Sequence, residues 1–550
     1  MSDQTFDYDY LIVGSGFGGS VSACRLAEKG YSVGVMEMGK RWQPEDFPES
    51  GWRLRRWLWR PGLKMKGFFN IRPFRHALII CGNAVGGGSI TYANTMLVPP
   101  DSVWEQGSWK GLANWTEEMP AHYDRAKRML GVTRNRILGD ADHLLKDMAE
   151  DAGIGDSFYR TDVAVYFGRE DEPGGTPADD PYFGGEGPPR SSCLGCGACM
   201  MGCRHGAKNT LDKNYLYLAE KRGARVHAET RVVDIRPLND RPDGADGYEV
   251  TVERSTAWLF KQRRRFVARK VIVSASSMGT QELLFRLKQD GSLPNISDKL
   301  GSQVRTNAES IIGVRFPGKD IDLSRGVAIG SGIYLDEHTH IEATRYPSAD
   351  IIGLLTTLMV GGIAGWRRIL GWLGHALRHP LRFFRMLNPV GFARQTLIFL
   401  VMQTVDGSLT MRLKRNWYWP FSRLLSTEGD RIPAYIPQAN DFATKAARKF
   451  GGSPFSLMSE ILFNIPFTAH CMGGCVMGDS ADTGVIDSDN RVFNYQNLYV
   501  IDGAMLSANL GVNPSLTITA LAERAMSRVP AKADLTRDPV ARQNAEAQAA

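Results

Sequence analysis

The chain has 550 residues, of which 43% are hydrophobic and 23% charged, and 66 Lys and Arg residues against 59 Asp and Glu give it a net charge of +7. The basic surplus lies in two acid-free segments, residues 51–76 with eight basic side chains and residues 351–405 with six. Since the rest of the chain is net acidic, this distribution excludes a diffusely basic nucleic-acid binder. A chain of this length is expected to form at least two cores.

The N-terminal residues are acidic and run directly into a predicted strand, without the basic and apolar regions of a secretory signal. The uncharged stretches are either broken by Gly, Asn and Pro or shorter than the about 20 apolar residues that a membrane span needs. We therefore expect a cytoplasmic protein without a transmembrane helix. Residues 531–550 are polar and rich in Ala, which predicts a disordered tail.

The first motif is typical of a dinucleotide-binding fold. An apolar strand ending at Val13 is followed by Gly14, Gly16 and Gly19, then by a helical pattern, a second strand and Glu37. In this arrangement the glycines make the turn, let a pyrophosphate approach and pack helix on strand, while the helix N-terminus faces the phosphates. The Glu37 carboxylate would accept hydrogen bonds from the hydroxyls of a ribose and would exclude a nucleotide with a 2′-phosphate.

Three later elements belong to the same predicted domain. Residues 270–275 followed by 279–285 indicate a strand, a turn and a helix, and residues 498–502 a strand that ends on an acid. Asn513 suits the N-cap and Pro514 the first position of a helix over residues 516–524. The positive end of that helix would suit an electron-rich flavin ring.

Four cysteines lie within eleven residues, in the spacing C-x2-C-x2-C-x3-C. This spacing occurs in bacterial ferredoxins, although Arg204 stands where the usual Pro would be and no second set of four follows. The alternatives are an iron–sulfur cluster, a zinc site and a reduced Cys-rich loop. The candidate ligands are Cys193, Cys196, Cys199 and Cys203. The scattered residues Cys24, Cys81, Cys471 and Cys475 are expected to be small core residues.

Taken together, the motifs resemble a known family. The segment 14–19 with Glu37, the cluster 86–89, the segment 470–474 and the block 502–514 are similar to the glucose–methanol–choline (GMC) family of FAD oxidoreductases. Within that family the chain most resembles the cholesterol oxidase branch, particularly its intracellular bacterial members, which share the Cys-rich segment and the string over residues 204–211.

This resemblance implies an α/β fold with a Rossmann-like FAD domain and a substrate domain built on an antiparallel sheet. The FAD domain would comprise residues 1–100, 206–308 and 466–530, and the substrate domain residues 101–205 and 309–465. It also implies non-covalent FAD. The residues expected to bind it are Gly14, Gly16, Phe17, Gly18, Gly19, Glu37, Gly88, Tyr92, Ala93, Thr95, Val232, Gly503 and Ser515.

The resemblance also implies the catalytic residues. Oxidation of a secondary alcohol needs a proton acceptor beside the flavin, and His470 matches the active-site histidine of the family. From the residues alone, a core histidine bonded to a carbonyl is the alternative. Asn513 matches the active-site asparagine, and Glu342 the glutamate that moves the double bond of a steroid ketone into conjugation. Glu342 could equally be an exposed strand residue.

The implied function is FAD-dependent oxidation of a 3β-hydroxysteroid or related hydrophobic alcohol, with oxygen as the acceptor. A dehydrogenase that passes electrons to another carrier and a non-catalytic flavoprotein at a membrane surface are the alternatives. The two basic segments combine Trp, Phe and Leu with Arg, the composition of elements that contact anionic bilayers. Part of their apolar residues would be ordinary core. We expect them to form the lid and rim of the substrate entrance, giving peripheral contact with the inner membrane face.

Overall fold

A computed structural model describes residues 5–533 except 259, 348–349, 363–365, 406, 416–421, 431 and 433. Most of the predicted tail therefore lies outside the described residues. Fourteen strands form the two main sheets. In chain order they are β1 (Tyr8–Val13), β2 (Val33–Met36), β3 (Tyr159–Arg160), β4 (Arg225–His227), β5 (Thr230–Pro237), β6 (Tyr248–Arg254), β7 (Arg263–Val273), β8 (Ser310–Arg315), β9 (Ile329–Tyr334), β10 (Thr339–Thr344), β11 (Thr356–Leu358), β12 (Thr396–Gln403), β13 (Ser453–Leu457) and β14 (Leu498–Val500).

Eleven α-helices accompany them in the part of the chain that the structure describes. They are α1 (Phe17–Glu28), α2 (Leu54–Trp57), α3 (Trp115–Met129), α4 (Asp140–Asp151), α5 (Tyr215–Lys221), α6 (Ser276–Gln289), α7 (Trp366–Arg378), α8 (Pro380–Leu387), α9 (Pro437–Phe450), α10 (Met458–Phe463) and α11 (Ser515–Ser527). None of these helices is long and apolar enough to cross a membrane.

The first sheet has seven strands in the order β4-β2-β1-β7-β6-β5, and β14 also pairs with β7. The pairs among β4, β2, β1, β7 and β14 are parallel, while β6 and β5 are antiparallel. β1 is buried nearly throughout, as the sequence YDYLIV predicts for a strand covered on both faces. This sheet confirms the predicted Rossmann-like fold.

The turn between β1 and α1 is the point at which the sheet opens toward the cavity described below. Gly14 takes a φ of +99°, and a Cβ there would lie 2.2 Å from the carbonyl oxygen of Ser274. Only glycine fits this combination of backbone conformation and close approach. The backbone of Gly14 also donates to Met36 O at 2.8 Å, which ties the turn to the end of β2.

The second sheet is antiparallel throughout, in the order β11-β13-β8-β12-β10-β9-β3. One face packs on α4 and α9 and forms a separate core. In β10 the side chains of Ile341 and Ala343 enter that core, so His340, Glu342 and Thr344 lie on the opposite face. The alternation of a strand thereby directs a carboxylate away from the apolar core.

Smaller strands complete the fold. A three-stranded sheet consists of Phe69–Pro73, Leu78–Gly82 and Phe467–Thr468. The two-stranded units are Trp59–Arg60 with Met65–Lys66, Thr133–Arg134 with Asp162–Val163, Pro177–Ala178 with Arg190–Ser191, and Thr410–Arg415 with Arg423–Glu428. In the three-stranded sheet, Thr468 pairs with Ile79, which places the following His470 next to the main cavity.

Candidate active site

A cavity of about 1370 Å³ extends between the two sheets. It exceeds the roughly 300–1,000 Å³ of a pocket for one small ligand, so it has room for a cofactor and a substrate together. Twelve of the thirteen predicted FAD-binding residues line it. They are Gly14, Gly16, Phe17, Gly18, Glu37, Gly88, Tyr92, Ala93, Thr95, Val232, Gly503 and Ser515.

Gly19 is the predicted residue that does not line the cavity. A Cβ there would lie 2.1 Å from Gly14 O, so the position serves the packing of α1 against the turn. Gly16 differs, because a Cβ would meet no protein atom within 4 Å and would point into open space. Gly87 approaches the same turn from the other side: a Cβ on it would lie 2.6 Å from Gly16 Cα. Two glycine segments thus form one narrow cradle.

Glu37 lies at the end of β2 and is buried beside this cradle. Ser15 donates to Oε2 through its backbone N at 3.0 Å and its hydroxyl at 2.7 Å, and Gly39 N donates to Oε1 at 2.6 Å. Burial raises the pKa of Glu37, although these hydrogen bonds act in the opposite direction. The carboxylate has further acceptor positions, and it faces the cavity.

The segment over residues 85–95 forms another wall. The rings of Phe17 and Tyr92 meet edge to face with centroids 5.6 Å apart, and the Tyr92 hydroxyl donates to Asn209 O at 2.8 Å. Thr95 is buried, and its hydroxyl has no hydrogen-bond partner among the described residues. A buried polar atom without a partner at a cavity wall is a natural contact for a ligand.

The predicted catalytic residues form one cluster. Asn513 Nδ2 lies 3.4 Å from Glu342 Oε2, and the charges of Glu342 and His470 interact. His470 and Asn513 line the cavity, whereas the fully buried Glu342 lies behind Asn513. The structure therefore contradicts the alternative that Glu342 is an exposed strand residue. Glu342 Oε1 and Asn513 Oδ1 are both buried without a partner among the described residues.

Two residues that the sequence motifs missed complete the cluster. Glu309 precedes β8, is 1% exposed in its side chain and forms an ion pair with Nδ1 of His470. Asn307 Nδ2 lies 3.2 Å from the same Nδ1 and donates to Val512 O at 2.9 Å. No motif marks either residue, because their only sequence signal is a polar stretch before an apolar strand. The histidine is therefore paired with a carboxylate rather than with a carbonyl.

The environment shifts two pKa values in this cluster. Burial raises the pKa of Glu342 to about 7, although the Asn513 hydrogen bond and His470 lower it. Burial lowers the pKa of His470, but the charge and hydrogen bond of Glu309 together outweigh burial and leave that pKa raised. Perturbed groups of this kind in a cavity are typical of sites that transfer protons.

Comparison with known proteins identifies the family. Sequence models described as GMC oxidoreductase match residues 189–288 and 430–522, and one described as an NAD(P)-binding Rossmann-like domain matches residues 12–42. A cholesterol oxidase of Acinetobacter baumannii is 65% identical over 97% of this chain and 96% of its own length. The chain belongs to the GMC oxidoreductase family, in its cholesterol oxidase branch.

Further relatives agree with this assignment. A cholesterol oxidase of Mycobacterium tuberculosis (strain ATCC 25618 / H37Rv) is 46% identical over 97% of this chain and 93% of its own length. Among solved structures, a pyridoxine 4-oxidase from Mesorbium loti superposes with a TM-score of 0.61 over 94% of this chain and 98% of that one, at 14% identity. This last likeness concerns the fold alone. As a GMC member, the chain is an FAD-dependent oxidoreductase acting on CH–OH donors.

The residues present fit the FAD that the GMC family implies. The open space over Gly16 and the N-terminus of the 12-residue helix α1 suit a pyrophosphate, and the Glu37 carboxylate could accept hydrogen bonds from ribose hydroxyls. The unpartnered Thr95 hydroxyl and the beginning of α11 would provide polar contacts for a flavin ring.

The beginning of α11 differs in detail from the prediction. The helix begins at Ser515 with Pro514 as its N-cap, and no side chain caps it. The prediction that Asn513 is the N-cap was therefore wrong. Its amide instead contacts Glu342, which leaves the helix N-terminus open toward the cavity.

The four clustered cysteines line a second cavity of about 170 Å³. All four are free thiols, and burial raises the pKa of Cys193 and of Cys199. Among the described residues, no group of three or more His, Cys, Asp or Glu side chains could hold a metal ion. The iron–sulfur and zinc alternatives therefore have no support in this structure.

Lys208 links this loop to the cavity wall formed by residues 85–95, a role that the sequence did not reveal. Its buried Nζ donates to the carbonyls of Cys199, Ile90 and Tyr92 at 2.8 to 2.9 Å. Burial lowers the pKa of Lys208 to about 7.

The scattered cysteines divide into two groups. Cys24 and Cys475 are buried in the main core, as predicted. Cys81 and Cys471 also pack against this core, but they are only partly buried and line the cavity. Burial raises the pKa of Cys471 to about 11 and that of Cys81 to about 12, which keeps both thiols protonated at neutral pH.

The first basic segment contributes mainly to the interior. Phe68 and Phe69 belong to a small aromatic core, and Trp57 packs against it. Trp59 and Arg60 line the cavity, while Trp52 is 51% exposed. Part of this segment therefore borders the cavity and part is core, while its role as the rim of a substrate entrance stays a prediction.

The second basic segment carries a long exposed apolar stripe. Pro380 separates α7 from α8. Six large apolar side chains on the two helices are between 42% and 80% exposed: Trp366, Leu370, Leu373, Leu377, Leu381 and Phe384. Arg368 is the exception to the predicted basic surface, since it is 3% exposed and donates to Glu460 O at 3.2 Å. The preceding residues Leu354 and Leu355 are exposed and also line the cavity.

Proposed function

We propose that this protein oxidises the 3β-hydroxyl of a sterol, or of a closely related hydrophobic secondary alcohol, to the ketone. The names of its relatives motivate the substrate class, and the cavity supports it. Apolar side chains such as Ile311, Ile329, Ile398 and Leu400 line the side formed by the second sheet. A polar cluster at a largely apolar cavity suits a rigid apolar molecule that carries one hydroxyl.

The observation that carries the proposal is the free ring nitrogen of His470. Its Nδ1 is engaged by Glu309, while Nε2 has no hydrogen-bond partner among the described residues. Asn513 lines the same cavity, and its Nδ2 carries a second N–H besides the one that contacts Glu342. A substrate hydroxyl could therefore donate its proton to Nε2 while its oxygen accepts a hydrogen bond from this second N–H of Asn513.

When bound, FAD would supply the two-electron acceptor for the hydride of the carbinol carbon. The cradle of Gly14, Gly16 and Gly87 and the carboxylate of Glu37 would hold the cofactor. Its flavin end would lie near Thr95 and the beginning of α11. His470 then accepts the hydroxyl proton at Nε2, so that the alcohol leaves as the neutral ketone.

We extend the proposal to isomerisation of the initial β,γ-unsaturated ketone by Glu342. A carboxyl group with a pKa of about 7 can accept and return a proton near neutral pH. The base needs its ionised form to remove a proton from carbon, and the same group returns that proton two carbons further along. Its partner Asn513 keeps the carboxylate oriented.

Oxygen is the electron acceptor in this proposal, with hydrogen peroxide as the product. The identity to cholesterol oxidases over nearly the full length of the chain supports this choice. The proposal includes no iron–sulfur cluster, because the described residues offer no site for one.

Membrane contact through α7 and α8 belongs to the same proposal. The apolar stripe on these helices is accompanied by exposed arginines at positions 367, 378, 382 and 385. Such a face suits the surface of an anionic bilayer, with about 1 kcal/mol per nearby Lys or Arg. Leu354 and Leu355 connect this face to the cavity, so a sterol could enter from the bilayer.

Anaerobic flavin reduction tests the function directly. The purified holoenzyme is mixed without oxygen with sterols, long-chain alcohols and short polar alcohols, and the flavin absorbance is followed. We expect bleaching by 3β-hydroxysteroids, followed by reoxidation and hydrogen peroxide formation when air is admitted. Bleaching by none of the sterols would contradict the proposal, and bleaching without reoxidation in air would indicate a dehydrogenase.

A further inference from the structure

We infer that Glu309 is a positioning residue that fixes the tautomer of His470 and strengthens it as a base. This inference rests on the proposed function, because it concerns the same proton transfer. It assigns a role to a residue that no sequence motif indicates.

Two groups compete for Nδ1 of His470. Asn307 is oriented by its hydrogen bond to Val512 O, so it presents an N–H donor toward Nδ1 at 3.2 Å. Glu309 presents a carboxylate oxygen at a closer distance. A donor would favour an unprotonated Nδ1, whereas a carboxylate favours a protonated one. Because the carboxylate contact is closer and is charged, the Nδ1–H tautomer prevails.

This tautomer leaves the lone pair of Nε2 free for the substrate. The hydroxyl proton then forms a bond with Nε2, and the ring becomes an imidazolium whose Nδ1–H remains bonded to Glu309. The negative charge of Glu309 compensates the new positive charge, so the partly buried ring can hold the proton. The imidazolium returns the Nε2 proton to solvent after the ketone has left, and Glu309 itself exchanges no proton.

The surroundings of Glu309 support this function over a purely structural one. Its side chain is 1% exposed, and His470 is its only ion-pair partner in the described part of the chain. Burying a carboxylate that has no Lys or Arg as ion-pair partner costs free energy unless another group, here His470, compensates its charge. Burial alone would lower the pKa of His470; the charge and hydrogen bond of Glu309 raise it, and the charge of Glu342 makes a smaller contribution in the same direction.

The second carboxylate of the cluster has different contacts. Glu342 is bonded to Asn513, while Glu309 is bonded to His470. We therefore assign the two carboxylates to different steps: Glu309 acts in the oxidation through the histidine, and Glu342 acts in the isomerisation.

The test compares Glu309→Gln with Glu460→Gln as a matched control. Glu460 is also fully buried and accepts hydrogen bonds from Ser310 and Ile311, directly after Glu309, but it does not line the cavity. Its pKa is raised by burial to about 8, so glutamine resembles the protonated form that prevails at neutral pH. The rate of anaerobic flavin reduction by a sterol is measured over a range of pH for both variants and the wild type.

We expect Glu309→Gln to slow flavin reduction by about 100-fold or more, within the range for loss of a general base, while its FAD content stays normal. The acid limb of the pH profile of this rate should move to lower pH, because removal of the Glu309 charge lowers the pKa of His470. Glu309→Asp should restore part of the rate, and Glu460→Gln should behave as the wild type.

Three results would overturn the inference. One is an unchanged rate in Glu309→Gln, and another is a slower rate with the acid limb at its wild-type pH. If the variant fails to fold, nitrogen NMR of labelled histidine in the wild-type holoenzyme decides, since a proton on Nε2 instead of Nδ1 in the neutral ring would also overturn it. Failure of the wild type itself to be reduced by any sterol would instead reject the proposed function.

Discussion

Asn513 holds Glu342 in place: its Nδ2 lies 3.4 Å from Oε2, and this is the only hydrogen bond to the carboxylate among the described residues. Both side chains are at most 5% exposed. A helix-adjacent asparagine and a strand carboxylate, 171 positions apart in the chain, thereby become one functional pair.

Replacement of Asn513 by Ala should raise the pKa of Glu342 above its value of about 7. A hydrogen bond to a charged group contributes about 1.5–3 kcal/mol, and one pKa unit corresponds to about 1.4 kcal/mol. We therefore expect a rise of about one to two units. Since the ionised carboxylate is the base, the isomerisation should require correspondingly higher pH.

In the measurement, the β,γ-unsaturated ketone is added as the substrate, so that isomerisation is followed without the oxidation step. Asn509→Ala is the control. Asn509 lies in the same loop as Asn513, but it donates to Gln403 O and does not touch Glu342. An identical pH profile in Asn513→Ala and the wild type would disprove the link between the two residues.

Replacement of His470 by Gln should lower the rate of flavin reduction by about 10² to 10⁴-fold, the usual contribution of a general base. FAD binding should persist, because the predicted cofactor residues are unchanged. Stopped-flow measurement without oxygen isolates this step. His76→Gln removes another buried histidine, which contacts Thr427 outside the cavity, and should leave the rate near the wild type. A His470→Gln enzyme as fast as this control would exclude histidine as the base.

The parts of the site that follow local rules were predictable. The glycine turn, Glu37 and the apolar strand β1 form a contiguous pattern, and the structure places them as that pattern requires. To predict the position of Glu342 required one further fact, namely which face of the strand is buried. Ile341 and Ala343 enter the core and leave Glu342 on the other face.

The remaining parts depend on contacts between distant segments. Glu309 meets His470 only because β8 and the segment after Phe467–Thr468 are brought together by the fold. Local preference predicted Asn513 as the N-cap of α11. In the structure its amide contacts Glu342 instead, and Pro514 is the N-cap. The cysteine spacing left an iron–sulfur cluster, a zinc site and a reduced loop open, because spacing along the chain does not fix how thiols are directed in space.

Replacement of Gly16 by Ala should weaken FAD binding without disturbing the apo fold. A Cβ at this position meets no protein atom within 4 Å, so the added methyl group would project into the space predicted for the pyrophosphate. We expect a lower FAD content after purification and an unchanged melting temperature of the apoprotein. Gly374→Ala is the matched control, since its Cβ also meets nothing within 4 Å but lies on α7, far along the chain from the cradle. Normal FAD affinity in Gly16→Ala would show that the cofactor does not approach this turn.

Membrane contact should depend on the exposed face of α7 and α8. In flotation with anionic vesicles, the double variant Leu377→Ser/Leu381→Ser should bind less, because these residues are 80% and 72% exposed and support no core. Neutralising Arg378 and Arg382 should weaken binding mainly at low salt, where electrostatic attraction to the lipid is least screened. Arg368 is excluded from this set, since it anchors α7 to Glu460 O and its loss would disturb the fold.

Turnover of a sterol distinguishes membrane contact from catalysis. The leucine variants should oxidise detergent-dispersed sterol at the wild-type rate and vesicle-embedded sterol more slowly, because only the second route requires the bilayer to meet the entrance at Leu354 and Leu355. Equal loss with both substrates would mean that the helices shape the cavity itself. Unchanged flotation and unchanged turnover on vesicles would show that the apolar stripe does not face a membrane.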